Sequence, residues 1–153
     1  GKRCILFIDD EEVLVEIGGQ ILEQLGYKVV TEKSSVQALE LFRAEPDRFD
    51  LVITDMTMPH MTGDKLAQEL MTIRPNIPVI LCTGHSRLVS EEKAEEIGIK
   101  AFVIKPLVMR NLAETVRKFW MKSDTKNPLS CSSYRYVKMQ QGLYHPSVGF
   151  IGL

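Results

Sequence analysis

The chain lacks long hydrophobic runs, lacks a surplus of either charge, and has few of the residues that build disulfide frameworks or soft-metal sites. No apolar stretch approaches the roughly 20 residues that a membrane helix needs, and no apolar segment with a small-residue cleavage site opens the sequence. Its 19 basic and 20 acidic residues leave a formal net charge of -1. The broad basic footprint of a nucleic-acid binder is therefore missing, and direct nucleic-acid binding is not expected. The 3 cysteines are an odd number at unrelated spacings. Cys4 and Cys82 fall inside apolar runs, where cysteine acts as a small buried hydrophobe. The 3 histidines, His60, His85 and His145, share no ligand-like spacing, so none is read as a metal ligand. Together these absences suggest a soluble, cytoplasmic domain with no membrane contact of its own.

What is present is a 44% hydrophobic chain of 153 residues, enough for one core and too short for two ordinary domains. Gly1 in place of an initiator methionine fits a segment cut from a longer protein. From residue 3 to about residue 121, short β-branched and apolar runs (RCILFI, YKVVT, DLVITD, IPVILCT, KAFVIK) alternate with longer stretches of helical spacing. The first helix is expected just after Asp9 and Asp10, with Val13, Ile17, Ile21, Leu22 and Leu25 three or four apart and Gly26 as its stop. The second opens at Ser34 or Ser35 as N-cap, carries Val36, Leu39 and Phe42 on one face and ends before Pro46. A third carries Leu66, Leu70 and Ile73 ahead of Pro75. A fourth runs from near Ser90 to Gly98, and a fifth from Met109 to Met121 with Leu112, Val116 and Phe119 inward. Several strand runs are apolar on both faces, as a parallel sheet covered by helices on each side demands. Right-handed crossovers then give an α/β, doubly wound, five-stranded parallel sheet. Residues 123–153 hold Pro128, Pro146 and an SCSSYRY cluster without either period, and are expected to form a flexible tail or a short appendage to a 1–122 domain.

In open α/β sheets ligands bind beyond the carboxyl ends of the strands. The first strand runs out into Asp9, Asp10 and Glu11, the third into Asp55, the fourth into Thr83 and the fifth into Lys105. Carboxylates gathered on one rim repel each other and raise each other's pKa unless a cation compensates them. An oxygen-only set suits Mg²⁺, with Mn²⁺ as a substitute, better than Zn²⁺. Lys105 would add a positive charge and Thr83 a hydroxyl donor, so an incoming phosphoryl group would meet metal, ammonium and hydroxyl together. An aspartate carboxylate is a competent nucleophile for such a group.

Taken singly, each residue has a plainer reading. Asp9 and Asp10 could cap a helix, Asp55 could belong to a turn before Met58 and Pro59, Lys105 could be a solvated charge, and Thr83 an ordinary strand-end hydroxyl. Their weight lies in their combination.

That combination, spread over ILFIDDEE, LVITDMTMPHMTG, VILCTGH and FVIKPL, resembles the receiver domain of response regulators in two-component signalling, over roughly residues 3–121. The resemblance implies a flavodoxin-like (βα)5 fold of strand order 2-1-3-4-5. It implies Asp55 as the phosphoacceptor, and Asp10, Asp55 and the backbone carbonyl of Thr57 as direct Mg²⁺ ligands, with Asp9 holding the metal mainly through water. It implies Thr83 and Lys105 as the groups that grip the phosphoryl oxygens, a cis bond between Lys105 and Pro106, and space over the site at Gly84. Phe102 takes the place of the aromatic switch residue; lacking a hydroxyl, it fits core packing as well as switching. Thr57 and His85 occupy positions that tune dephosphorylation.

The expected donor is a histidine kinase or a phosphotransfer domain, and the expected output surface is the fourth helix, fifth strand and fifth helix, toward an unknown downstream partner or a homodimer mate. None of the histidines sits on a dimerising helix, so the chain is read as an acceptor, not a donor. As an enzyme it would catalyse only its own phosphorylation and dephosphorylation. The stretch TGHSRLVSEEKAEEIGIKAFVIKPLVMRNLAETVRK is most similar to receivers joined to hybrid sensor histidine kinases, and the residues after Lys122 are too few for a DNA-reading module. Three rival readings share parts of this pattern. A haloacid-dehalogenase-like Mg²⁺-dependent phosphatase would need a second Asp where Thr57 stands. A flavodoxin-like cofactor binder would need a phosphate loop after the first strand. A phosphorylation-independent receiver-like interaction domain would not need the acidic pair, acceptor, hydroxyl and lysine that are all present.

Overall fold

The computed structural model describes residues 1–83, 96–99, 101–104 and 109–123. Five strands, β1 (Cys4–Ile8), β2 (Lys28–Glu32), β3 (Leu51–Asp55), β4 (Val79–Thr83) and β5 (Ala101–Ile104), form one sheet of order β2-β1-β3-β4-β5. All neighbouring pairs are parallel. The expected doubly wound sheet and its strand order are observed.

The strand sequences explain this arrangement. β1 and β3 are buried along their whole length, which is why β1 reads as an unbroken apolar run and β3 as one over Leu51–Ile53 before the buried polar Thr54 and Asp55. Successive side chains of β1 enter different cores. Leu6 and Ile8 join Leu39, Phe42, Leu66 and Leu70 on one side; Ile5 and Phe7 join Leu22, Leu112 and Val116 on the other. The helices α1 (Glu12–Gln24) and Met109–Ser123 therefore cover one face, and α2 (Ser35–Ala44) and α3 (Gly63–Ile73) the opposite face. β2, at the sheet edge, is only half-buried.

Helix ends follow local chemistry. Ser34 caps α2, its Oγ accepting from the Gln37 N–H at 3.4 Å. Gly26 and Gly98 sit at φ +95 and +89, the left-handed region in which a helix can stop on glycine. Of the helix expected between Ser90 and Gly98, only helical Glu96 and Ile97 and the Gly98 stop are described. The Met109–Ser123 helix buries Leu112 and Val116 and packs Phe119 against them, as its spacing predicts.

Not every apolar residue at helical spacing faces inward. Val13 and Ile17 are 64% and 42% exposed, and Val36 is 42% exposed. The buried line of α1 is instead Val15, Gly18, Gly19 and Leu22. The reason is steric: a Cβ on Gly18 would overlap the ring of Phe7, so α1 rests its glycine face on β1 and turns Val13 and Ile17 away. In α2 the inner face is Ser35, Ala38, Leu39 and Phe42, which rotates Val36 outward.

At the opposite end of the sheet from the carboxylate rim, Arg74 Nη1 donates to the carbonyls of Phe49 (2.6 Å) and Pro46 (3.1 Å). The Arg3 guanidinium stacks 4.0 Å over the Trp120 ring. These contacts tie down the loops that enter the strands and leave the other rim free for chemistry.

Candidate functional site

The register of β1 on β3 pairs Ile8 with Thr54, so the residues that follow, Asp9 and Asp55, emerge side by side at the carboxyl end of the sheet. Asp9, Asp10 and Asp55 each offer a carboxylate oxygen, and these oxygens all lie within 4.8 Å of one another. Asp9 and Asp55 are buried, at 1% and 5% exposure, whereas Asp10 is exposed. The cluster thus has a buried floor and an open side.

Helix capping does not account for the acidic pair. The N-cap of α1 is Glu11, whose side chain makes no capping bond. Asp9 Oδ1 instead accepts from the Glu11 N–H at 3.0 Å, which orients the Asp9 carboxylate at the strand exit.

The loop after β3 is anchored on alternate residues. Met56 and Met58 are buried in the α2–α3 core and Thr57 between them is exposed at the rim. The Met56 N–H donates to the Cys82 carbonyl at 2.7 Å, which continues the β3–β4 pairing past Asp55. Further along, Gly63 opens α3. Its N–H donates to the Met56 carbonyl at 2.8 Å, and a Cβ there would collide with the Asp55 carbonyl oxygen. Gly63 stands in the LVITDMTMPHMTG motif with no task assigned to it; its place eight residues after Asp55, where α3 begins, was the available signal.

Cys82 pairs with Asp55, so Thr83, the last residue of β4, lies next along the same rim. Thr83 in turn pairs with Ile104, the residue before Lys105. Phe102 lies in β5, paired with Leu81. Lys105, Gly84, His85 and Pro106 lie outside the described residues. The structure therefore gathers Asp9, Asp10 and Asp55 by their side chains, and Thr57 and Thr83 by their place in the chain.

An oxygen-only cluster at the carboxyl rim of a 2-1-3-4-5 sheet narrows the field to acidic sites of flavodoxin-like folds. A family model described as the response regulator receiver domain matches residues 5–117. The chain belongs to this family. It is 34% identical over 103 residues to the transcriptional regulatory protein GlrR of Escherichia coli, covering 67% of this chain and 23% of GlrR. It is 30% identical over 124 residues to the sensor kinase CckA of Brucella abortus, covering 81% of this chain and 13% of CckA. The crystal structure of a response regulator receiver domain protein from Clostridium thermocellum superposes with a TM-score of 0.71 at 31% identity, over 79% of this chain and 96% of that one. The receiver chain thus spans less than a quarter of the length of these two curated relatives. Among its described residues no helix is long and apolar enough to cross a membrane.

Proposed function

We propose that this receiver domain accepts a phosphoryl group on Asp55 from the phosphohistidine of a histidine kinase or phosphotransfer domain, with Mg²⁺ held by Asp10, Asp55 and the Thr57 carbonyl and, through water, by Asp9. The observation that carries the reading is the carboxylate cluster within 4.8 Å across the ends of β1 and β3. The donor set fits the ion: carboxylates alone, two buried and one exposed, give hard oxygen ligands with an open side for water and a phosphoryl oxygen. Mn²⁺ satisfies the same requirements. When bound, the divalent ion neutralises charge on the phosphoryl oxygens.

The chain's own residues perform the rest. Asp55 attacks phosphorus with a carboxylate oxygen; a P–O bond forms as the donor P–N bond breaks, and the imidazole leaves with the electron pair and is reprotonated from solvent. Thr83 and Lys105 grip the product's oxygens, and their displacement toward it biases the surface of the fourth helix, fifth strand and fifth helix toward a downstream partner or a homodimer mate. Phe102 takes part in that switch by packing, since it has no hydroxyl to donate. Thr57 and His85 set the lifetime of the acyl phosphate by flanking the path of water. Residues 1–122 form the working unit, with 123–153 as a tail or appendage, in a cytoplasmic setting and within a hybrid kinase.

Intact-mass measurement after incubation with acetyl phosphate and Mg²⁺ tests the proposal. One phosphoryl adduct is expected on the wild type, and none on Asp55→Asn or in the presence of chelator. No adduct across several phosphodonors would instead favour a receiver that signals by binding alone.

A further inference from the structure

Gly63 lies outside the acidic cluster and outside the residues assigned to phosphoryl transfer. Its space requirement is nevertheless directed at the acceptor. A Cβ at Gly63 would strike the Asp55 carbonyl oxygen, and would stand 2.9 Å from the Asp55 carbonyl carbon and 2.9 Å from Leu81 Cδ1. Gly63 is not among the glycines with positive φ, so the demand is for room and not for an unusual backbone conformation. Backbone atoms of a buried central strand cannot swing aside as a side-chain tip can.

The hydrogen bonds around it have a pattern. The peptide joining Asp55 to Met56 is held on one side by the Met56 N–H on the Cys82 carbonyl (2.7 Å). On the other side its carbonyl accepts from Thr54 Oγ1 (3.1 Å), and its oxygen occupies the space that a Cβ at Gly63 would need. The next carbonyl, that of Met56, accepts from the Gly63 N–H (2.8 Å), one of the helix-start donors that α3 cannot satisfy internally. The Thr62 side chain makes no capping bond that could compete for this role. Two successive peptides are thereby immobilised between the Asp55 carboxylate and the Thr57 carbonyl.

We infer that Gly63 is a positioning residue for the metal site: the N-terminus of α3, brought against the Asp55 backbone by the missing side chain, sets the spacing of the Asp55 carboxylate and the Thr57 carbonyl. The inference rests on the Mg²⁺ reading of the cluster. Carboxylate and carbonyl must meet one small octahedral ion at short, fixed distances, so a displacement of a few tenths of an ångström in the intervening peptides weakens binding. Alanine at 63 forces such a displacement.

The test is Mn²⁺ titration of the whole, unphosphorylated chain by electron paramagnetic resonance, with Mg²⁺ as competitor. Gly63→Ala should lower Mn²⁺ affinity at least tenfold. Gly18→Ala, which crowds the Phe7 ring away from these carbonyls, should lose stability and keep wild-type affinity. Adding Leu81→Ala to Gly63→Ala relieves the apolar overlap but not the backbone one, so affinity should stay low. Affinity of Gly63→Ala within twofold of wild type, or its recovery with Leu81→Ala, overturns the inference and leaves the proposed function standing. Failure of the wild type itself to bind Mn²⁺ overturns both. Should Gly63→Ala not fold, wild-type amide resonances decide: Mg²⁺ should move the Gly63 signal together with that of Thr57, and an unmoved Gly63 signal refutes the coupling.

Discussion

The exposed carboxylate of Asp10 and the buried carboxylate of Asp55 approach within 4.8 Å across two adjacent parallel strands. At that separation two like charges repel by about 3 kcal/mol at an effective dielectric near 20. Exposure of Asp10 screens much of this, leaving a penalty on the order of 1 kcal/mol. Without a divalent cation, Asp10→Asn should therefore be more stable than the wild type by on the order of 1 kcal/mol in urea unfolding. With the ion at a hundred times its dissociation constant the wild type should gain about 2.7 kcal/mol, and Asp10→Asn much less. Equal Mg²⁺ stabilisation of both proteins would remove Asp10 from the ligand set.

Gly18→Ala sets two effects against each other. Alanine favours a helix over glycine by about 1 kcal/mol, but its methyl group would enter the Phe7 ring. Overpacking a close-packed core costs about 1–3 kcal/mol, so the net change should be destabilising. Chemical denaturation reads the sign directly. A stabilised variant would show that α1 can lift from the sheet at no cost.

The same pair of residues marks the limit of what the sequence discloses. β1 was legible because burial on both faces writes an apolar residue at every position, β3 because the same burial does so over Leu51–Ile53, and the carboxylate cluster because topology places the exits of β1 and β3 on one rim. The exposure of Val13 and Ile17 was not legible, because hydrophobic periodicity counts side chains and is blind to a face made by their absence, where Gly18 lets a ring approach. Gly63 was silent for a related reason. Its missing Cβ leaves room for a carbonyl of β3, and no local pattern of polarity encodes that need. Asp9 and Asp10 were set apart from helix capping by the residues at the other strand ends, and the N-cap position of Glu11 agrees with that.

His60 adopts φ +69, while the Met61 N–H donates to the Pro59 carbonyl at 2.8 Å across it. A three-residue turn with positive φ at its centre is strained for a residue bearing a Cβ. Glycine removes a penalty of about 1–2 kcal/mol, partly offset by its greater freedom in the unfolded chain. His60→Gly should raise stability by about 0.5–1 kcal/mol, whereas His60→Val should lower it. Paired urea midpoints measure both, and a destabilised His60→Gly would mean that the imidazole holds the turn.

Cys4 supplies a pH dependence far from the carboxylates. Its thiol is buried at the start of β1, and burial raises its pKa above the ordinary thiol value, with Arg48 opposing the shift and Asp50 adding to it. Asp50 is close by, its Oδ2 accepting from the Cys4 N–H at 2.7 Å. The folded state thus retains the thiol proton to higher pH than the unfolded state. The resulting stability is fully present below the unfolded thiol's pKa and is lost as pH rises through the folded one. Cys4→Ala has no thiol to ionise. The stability difference between wild type and Cys4→Ala should be constant through neutral pH and then shrink on the alkaline side, followed by urea midpoints at closely spaced pH values. A difference that stayed flat would show that the thiol has the same proton affinity in both states, and that burial at the head of β1 does not disfavour the thiolate.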